Sequence, residues 1–337
     1  MRKLRWGILG TGNIARQFVA GVIGSERGVV TAVGSRSPAA AAAFSESLGI
    51  NAVAGSYADV VGASECDALY VSLPNTLHHA WAIAGMKAGK HVLCEKPLAV
   101  TAAEAEEMFD VSRRTGRVLI EAFMYRAHPQ TQKAIELVRG GAIGKVHSVR
   151  TSFCFRVRKI AGNIRFDPAL AGGALMDVGC YCVNFSRLFA AGEPADVHAV
   201  AAHHVSGVDE LVSGIMRFAN GAHADFVVAM NTHADNTAYV CGDEGFLRIP
   251  VPWKPAAGGG EVIVARSTPP KQDGGATTAP PPEIHRITDA RPLYGIEADA
   301  FAACVLDGAP PFVDAADSVG NARVLDTLRQ LIAPTVQ

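Results

Sequence analysis

Over the first 120 residues, short apolar runs alternate with stretches of helical composition. The runs fall at Leu4–Leu9, Val29–Gly34, Ala68–Leu73, His91–Cys94 and Val118–Ile120. Between them, Ile14–Ile23, Pro38–Leu48, Leu77–Ala88 and Thr101–Thr115 read as helices. Strands alternating with helices of about 10 to 15 residues predict a parallel, doubly wound sheet. Thr101 followed by Glu104 has the form of a capping box and marks a helix start. Past about residue 145 the pattern changes. Val146–Val157, Val197–Val205, Leu211–Phe218, His223–Met230, Thr237–Cys241 and Phe246–Ile249 lean toward strand, with turn signals such as Ala219-Asn220-Gly221. Strands that follow one another without helices predict a mostly antiparallel sheet. Leu175–Phe189, Tyr294–Leu306 and Ala315–Leu331 read as helices, and Lys254–Gly260 and Ser267–Pro282 as exposed connections. The fold class is therefore α/β. A dinucleotide-binding domain is expected over residues 1–124, and a second domain with an open, mostly antiparallel sheet over residues 125–337.

Composition narrows this picture. A chain of 337 residues suits two domains, and a formal net charge of −1 gives no pull toward nucleic acid or anionic membrane. No apolar run is long enough to span a bilayer, and the Gly-rich start MRKLRWGILGTGNIA does not read as a signal peptide. The seven scattered cysteines suit a reducing, cytoplasmic setting, and no spacing suggests a metal site.

Candidate chemistry begins at Gly10-Thr11-Gly12-Asn13-Ile14-Ala15, a GxGxxA turn between the first strand and the first helix. One glycine permits the tight turn, the second lets the backbone approach a pyrophosphate, and Ala15 lets helix and strand pack closely. At the end of the second strand, Val33-Gly34-Ser35-Arg36-Ser37 lacks the acid that would bind a ribose 2′-hydroxyl. Arg36 suits a 2′-phosphate, with Ser35 and Ser37 as donors, so NADP(H) is expected over NAD(H). After the strand ending at Leu73, Asn75 and His78 stand where ligands bind in open α/β sheets. Glu95-Lys96-Pro97 ends the next apolar run; Glu95 is read as a loop or cofactor contact.

In this order, GxGxxA, Pro74-Asn75 with His78, Glu95-Lys96-Pro97, Glu121-Ala122-Phe123-Met124-Tyr125-Arg126 and Gly172-Gly173-Ala174-Leu175-Met176-Asp177-Val178-Gly179-Cys180-Tyr181 resemble the glucose-fructose oxidoreductase/inositol dehydrogenase (Gfo/Idh/MocA) family over almost the whole chain. The resemblance implies a Rossmann domain and a second α/β domain whose open sheet often forms an oligomer interface. A homodimer or homotetramer is expected. Tyr181, where many members carry histidine, is similar to the NADP-using branch that holds sugar and dihydrodiol dehydrogenases. Asn163-Ile164-Arg165 resembles the same branch and implies substrate contacts, with Arg126 and Arg156 as further candidates.

Hydride transfer from a carbinol needs a nicotinamide, a base for the hydroxyl proton and a cation near the developing alkoxide. A phenol with a pKa of about 10 becomes a better base beside an ammonium group. Tyr181 is accordingly the expected acid–base, Lys96 its electrostatic partner or itself the proton donor, and Asp177 an orienting carboxylate. The substrate expected is a sugar or polyol, foremost an aldose oxidised at C1. Keto-sugar reduction and trans-dihydrodiol oxidation are the alternatives. A non-catalytic NADP-binding sensor is the rival from another class, and it would have no use for all three residues.

Overall fold

The computed structural model describes residues 2–268 and 279–333. They fall into two compact units, Met1–Ala127 with Ala169–Ala171 and Arg291–Arg323, and His128–Pro168 with Gly172–Ala290 and Val324–Gln337.

The first unit is built on strands β1 (Leu4–Leu9), β2 (Gly28–Gly34), β3 (Val53–Gly55), β4 (Ala68–Val71), β5 (His91–Glu95) and β6 (Leu119–Ala122). All pair in parallel, in the order β3-β2-β1-β4-β5-β6. The order reverses between β1 and β4, the place where open α/β sheets bind ligands. Every residue of β4 and β6 is buried, as a sheet covered on both faces requires, with Glu121 in β6 the one charged residue among them. Helices α1 (Asn13–Ile23), α2 (Pro38–Ser47), α3 (Tyr57–Gly62), α4 (Asn75–Lys87), α5 (Ala102–Thr115) and α6 (Met124–Ala127) complete the alternation. The Thr101–Glu104 capping box is present, and Gly116 closes α5 in the left-handed conformation. Beneath α1, Phe18 stacks on Tyr70 at 3.7 Å and meets Trp6 edge-on at 5.1 Å; Trp6 also lies 5.1 Å from Phe301. Phe301 belongs to α9 (Leu293–Asp307), which crosses α1. At that crossing a side chain on Gly21 would collide with the backbone of Gly295, so two helices meet main chain to main chain.

The second unit holds α7 (Pro129–Arg139), β7 (Val146–Cys154), a π-helical turn Leu175–Gly179, α8 (Cys180–Ala190) and strands β8 (Pro194–His203), β9 (Asp209–Phe218), β10 (His223–Ala229), β11 (Ala238–Gly242), β12 (Gly245–Ile249), β13 (Gly260–Arg266) and β14 (Glu283–Ile287). The last helix, α10 (Ala315–Leu331), belongs to the first unit up to Arg323 and to the second from Val324. The sheet runs β14-β13-β12-β11-β7-β10-β9-β8, antiparallel except for β7 beside β10. Ala219-Asn220-Gly221 makes the expected turn, with Phe218 and Ala222 bonded across it.

The strands expected over Leu211–Phe218 and His223–Met230 are present as β9 and β10 and alternate, with Ile215 and Val227 exposed. Strands β13 and β14 carried no readable signal. The first is hemmed by glycine and the second, EIHRI, is polar and exposed as an edge. The helix over Leu175–Phe189 begins as a π turn. The connection Ser267–Pro282 lies in part outside the described residues.

Candidate active site

In the first unit the glycine turn has the geometry its residues require. Gly10 sits at φ +110°, where a side chain would strike the carbonyl of Ser72, and its N–H donates to Gly34 O at 3.0 Å. Gly12 is extended and caps α1 without a side-chain bond, and a Cβ there would meet nothing within 4 Å. No acidic residue stands in the first turn of α1. The main-chain N–H groups from Asn13 onward therefore present an open, electropositive helix end, with Thr11 and Ile14 half-buried beside it. Ala15 is fully buried against the sheet. At the end of β2, Ser35 is buried, Arg36 is exposed, and Ser37 accepts from Ala40 N–H at 3.4 Å to start α2. An open helix end followed by an exposed guanidinium with no acid beside it fits a dinucleotide carrying a 2′-phosphate.

The loops after β4 and β5 are tied to each other. His78 is 1% exposed, with Nδ1 2.9 Å from Pro97 O and Nε2 2.8 Å from Leu73 O. Burial, with a smaller push from the charge of Lys96, leaves this imidazole below its usual pKa even though the two carbonyls act to raise it. The predicted cofactor residue His78 is thus a clamp between two loops. Asn75 donates to Ala171 O at 2.9 Å. Along the second loop, Glu95 accepts from Lys96 N–H at 3.3 Å and from the Tyr70 hydroxyl, Glu121 accepts from Leu98 N–H at 2.9 Å, and Glu104 accepts from Val100 N–H at 2.9 Å. The Lys96–Pro97 peptide is cis, and Lys96 is half-buried. A lysine at a strand end is thereby held by a backbone secured almost residue by residue.

Two features of this unit depend on packing between segments distant in sequence. Arg126, a predicted substrate contact, is 8% exposed and pairs with Asp317 at 2.5 Å. Glu297, on α9, is completely buried, and neither carboxyl oxygen finds a hydrogen-bond partner among the described residues. Burial, then the charge of Glu95, drives Glu297 well above the ordinary carboxyl range. Nearby, burial and the charge of Glu95 also push the Tyr70 and Tyr294 phenols up.

In the second unit, Asp177 accepts from Arg165 Nε at 2.6 Å. Asp177, then Tyr181, lies within electrostatic range of that guanidinium and raises its pKa. Arg165 lies 6.0 Å over the Phe155 ring, and Asn163 accepts from Arg165 N–H at 3.1 Å. The π turn places Asp177 just ahead of Tyr181, which lies in the first turn of α8. Tyr181 is 3% exposed, edge-on to Phe153 at 5.4 Å and Trp253 at 5.8 Å. Trp253 is itself fixed by donating to Ser152 O at 2.8 Å. Arg156, exposed and bridged through its backbone to Asn231, rims a cavity of about 550 Å³ with Arg158, Phe166, Glu210 and Met230. Of the predicted residues, Asp177, Tyr181, Arg165 and Asn163 are thus brought together here. No group of three or more metal-ligating side chains occurs among the described residues, and no helix among them is long and apolar enough to cross a membrane.

Residues 4–123 match the family model for the oxidoreductase family with an NAD-binding Rossmann fold, and residues 131–248 match the model for the GFO/IDH/MocA C-terminal domain. The chain belongs to the Gfo/Idh/MocA family. It is 38% identical over 326 residues to a D-xylose 1-dehydrogenase (NADP(+)) of Haloferax volcanii, covering 96% of both chains. It is 34% identical to the trans-1,2-dihydrobenzene-1,2-diol dehydrogenase of Mus musculus, over 75% of this chain and 76% of that one. Among solved structures, the 3-ketoreductase KijD10 of Actinomadura kijaniata, in complex with NADP and TDP-benzene, superposes with a TM-score of 0.85 at 30% identity, covering 98% of both chains. This Gfo/Idh/MocA protein is an NADP(H)-dependent oxidoreductase, as the glycine turn and Arg36 led one to expect.

Proposed function

We propose that the protein is an aldose 1-dehydrogenase that transfers hydride between NADP(H) and the anomeric carbinol of a sugar. Full-length similarity to the NADP-dependent D-xylose dehydrogenase, together with Tyr181 beside the Asp177–Arg165 pair, carries this reading. Residues 1–124 would hold the cofactor and residues 125–337 the sugar. Gly10, Thr11, Gly12, Asn13 and Ile14 would seat the pyrophosphate, and Ser35 and Arg36 the 2′-phosphate. Leu73, Asn75, Glu95 and Lys96 line the loops at the carboxyl edge of the sheet, where the nicotinamide end would lie. When bound, NADP(H) supplies or accepts the hydride. Tyr181 takes the substrate hydroxyl proton, or returns it in reduction, and the cation Lys96 favours the oxyanion. Asp177, held by Arg165, orients the sugar hydroxyls alongside Asn163 and Arg156.

KijD10 favours a second reading, reduction of a keto-sugar. NADP⁺ reduction with D-xylose and D-glucose, set against NADPH oxidation with a keto-sugar, separates the two. Turnover with the keto-sugar alone would replace the first reading by the second. Lys96→Ala and Tyr181→Phe should each lower kcat at least about a hundredfold while leaving NADPH affinity near wild type; full activity in both would remove the site assignment. Arg36→Asp should shift preference toward NAD⁺ by about tenfold or more, the scale of one lost charge-assisted contact, read as the ratio of kcat/KM for the two cofactors.

We also propose a homo-oligomer formed through the open sheet, in a reducing cytoplasm where all seven cysteines stay as thiols. Val200, Ile215, Val227, Phe246 and Ile284 are exposed, and the strand register puts all five on one face. Apolar side chains gathered on one sheet face suit a two-fold interface.

A further inference from the structure

The Gly172-Gly173 pair ahead of Asp177 has a reason outside its own segment. Gly173 sits at φ +113°, and a side chain there would run into the carboxylate of Asp209. That carboxylate, at the start of β9, accepts from Leu175 N–H at 2.7 Å. Leu175 opens the π turn, and its N–H is one of the donors that a helix start leaves without an internal partner. The same turn is pinned from its other side. Gly173 N–H donates to Arg165 O at 2.9 Å, and Asp177 N–H donates to Gly173 O at 3.0 Å. Arg165 and Asp177 are then joined again through their side chains. One carboxylate from a strand more than 30 residues downstream therefore fixes the start of the helix whose first turns carry Asp177 and Tyr181.

We infer that Asp209 is a positioning residue for the reaction: as an anion at the head of this helix it sets the placement of Asp177 and Tyr181, and its protonation loosens them. The inference rests on the assignment of Asp177 and Tyr181 to the reaction. An ionised acceptor holds an N–H roughly twice as strongly as a neutral one, and the positive end of a helix adds to the preference for charge. Burial raises Asp209 to about 6; Leu175 N–H, its own backbone, His203 on β8 and Arg329 on α10 pull the other way. The anchor is thus charged at neutral pH and discharges on mild acidification.

The test uses the full chain and Asp209→Asn, an isosteric acceptor that cannot ionise. Amide exchange of residues 174–181, corrected for intrinsic rates, needs no substrate. At pH 7.5 it should be several-fold faster in Asp209→Asn than in wild type, and at pH 5 the two should agree. In turnover with NADP⁺ and D-xylose, or trans-dihydrobenzenediol if xylose is not oxidised, the wild-type to variant ratio of kcat should follow the same course. It should be about threefold to tenfold at pH 7.5, approaching one at pH 5, with the KM for NADP⁺ unchanged. A ratio, in exchange or in kcat, that is equal at the two pH values overturns the inference. Tyr181→Phe run alongside keeps the two questions apart. Undiminished turnover there removes the site assignment. A flat Asp209→Asn ratio with an inactive Tyr181→Phe removes only the anchor.

Discussion

The two sheets solve the burial problem in opposite ways. In the parallel sheet of the first unit, β4 and β6 are buried at every residue, because helices cover both faces. In the mixed sheet of the second unit, β9 and β10 alternate, and one face carries Ile215 and Val227 in the open. A sheet sealed on both faces concentrates stability in its core, whereas a sheet sealed on one face keeps a surface that can change without unfolding the chain. Substitutions should separate the two sharply.

Trp6→Ala, which empties a fully buried site between Phe18 and Phe301, should cost about 3–5 kcal/mol in urea unfolding. A loss near that of a surface change would mean that the first sheet is not the stabilising one. Glu297→Gln acts in the same unit and in the other direction. A carboxyl whose pKa is raised on folding stabilises fully only below its unfolded pKa, and that contribution is lost as pH rises toward the raised value. The glutamine variant should therefore melt roughly 2–4 °C above wild type at pH 8, the effect of about 1 kcal/mol in a unit of this size, and match it near pH 4. A variant that melts lower at pH 8 would show that the charge is wanted there. The smallest effect on folding belongs to the open face. Ile215→Lys should move unfolding by less than about 0.5 kcal/mol while shifting light-scattering mass toward the monomer. A mass unchanged at micromolar concentration would send the proposed interface elsewhere.

The same contrast accounts for what could be read from the chain. Strands buried on both faces announce themselves as apolar runs, and GxGxxA or a Thr101–Glu104 box are local codes whose partners lie within a few residues. Hence the parallel sheet, the glycine turn and the position of Lys96 were legible. The Asp177–Tyr181 segment was legible as a helix but not as a π turn, because its geometry is set by Asp209 and Arg165, neither adjacent to it in sequence. Arg126 read as a candidate substrate contact because Asp317, with which it pairs, lies far along the chain. Glu297 was silent for a related reason. A glutamate on a helix reads as solvent-facing, and only the packing of α9 against α1 and α6 within the first unit buries it.

The glycine-to-glycine crossing of α1 and α9 bears on how such enzymes can be recombined. A nucleotide-binding module cut at residue 127 would leave the Gly21 face of α1, and Trp6 behind it, without Phe301 and the helix that fills the groove. Cofactor-swapping chimaeras between relatives must therefore graft two separate stretches, the amino-terminal alternation and Arg291–Arg323, as one inherited piece. A splice that respects only the linear order would join halves whose ends no longer fit.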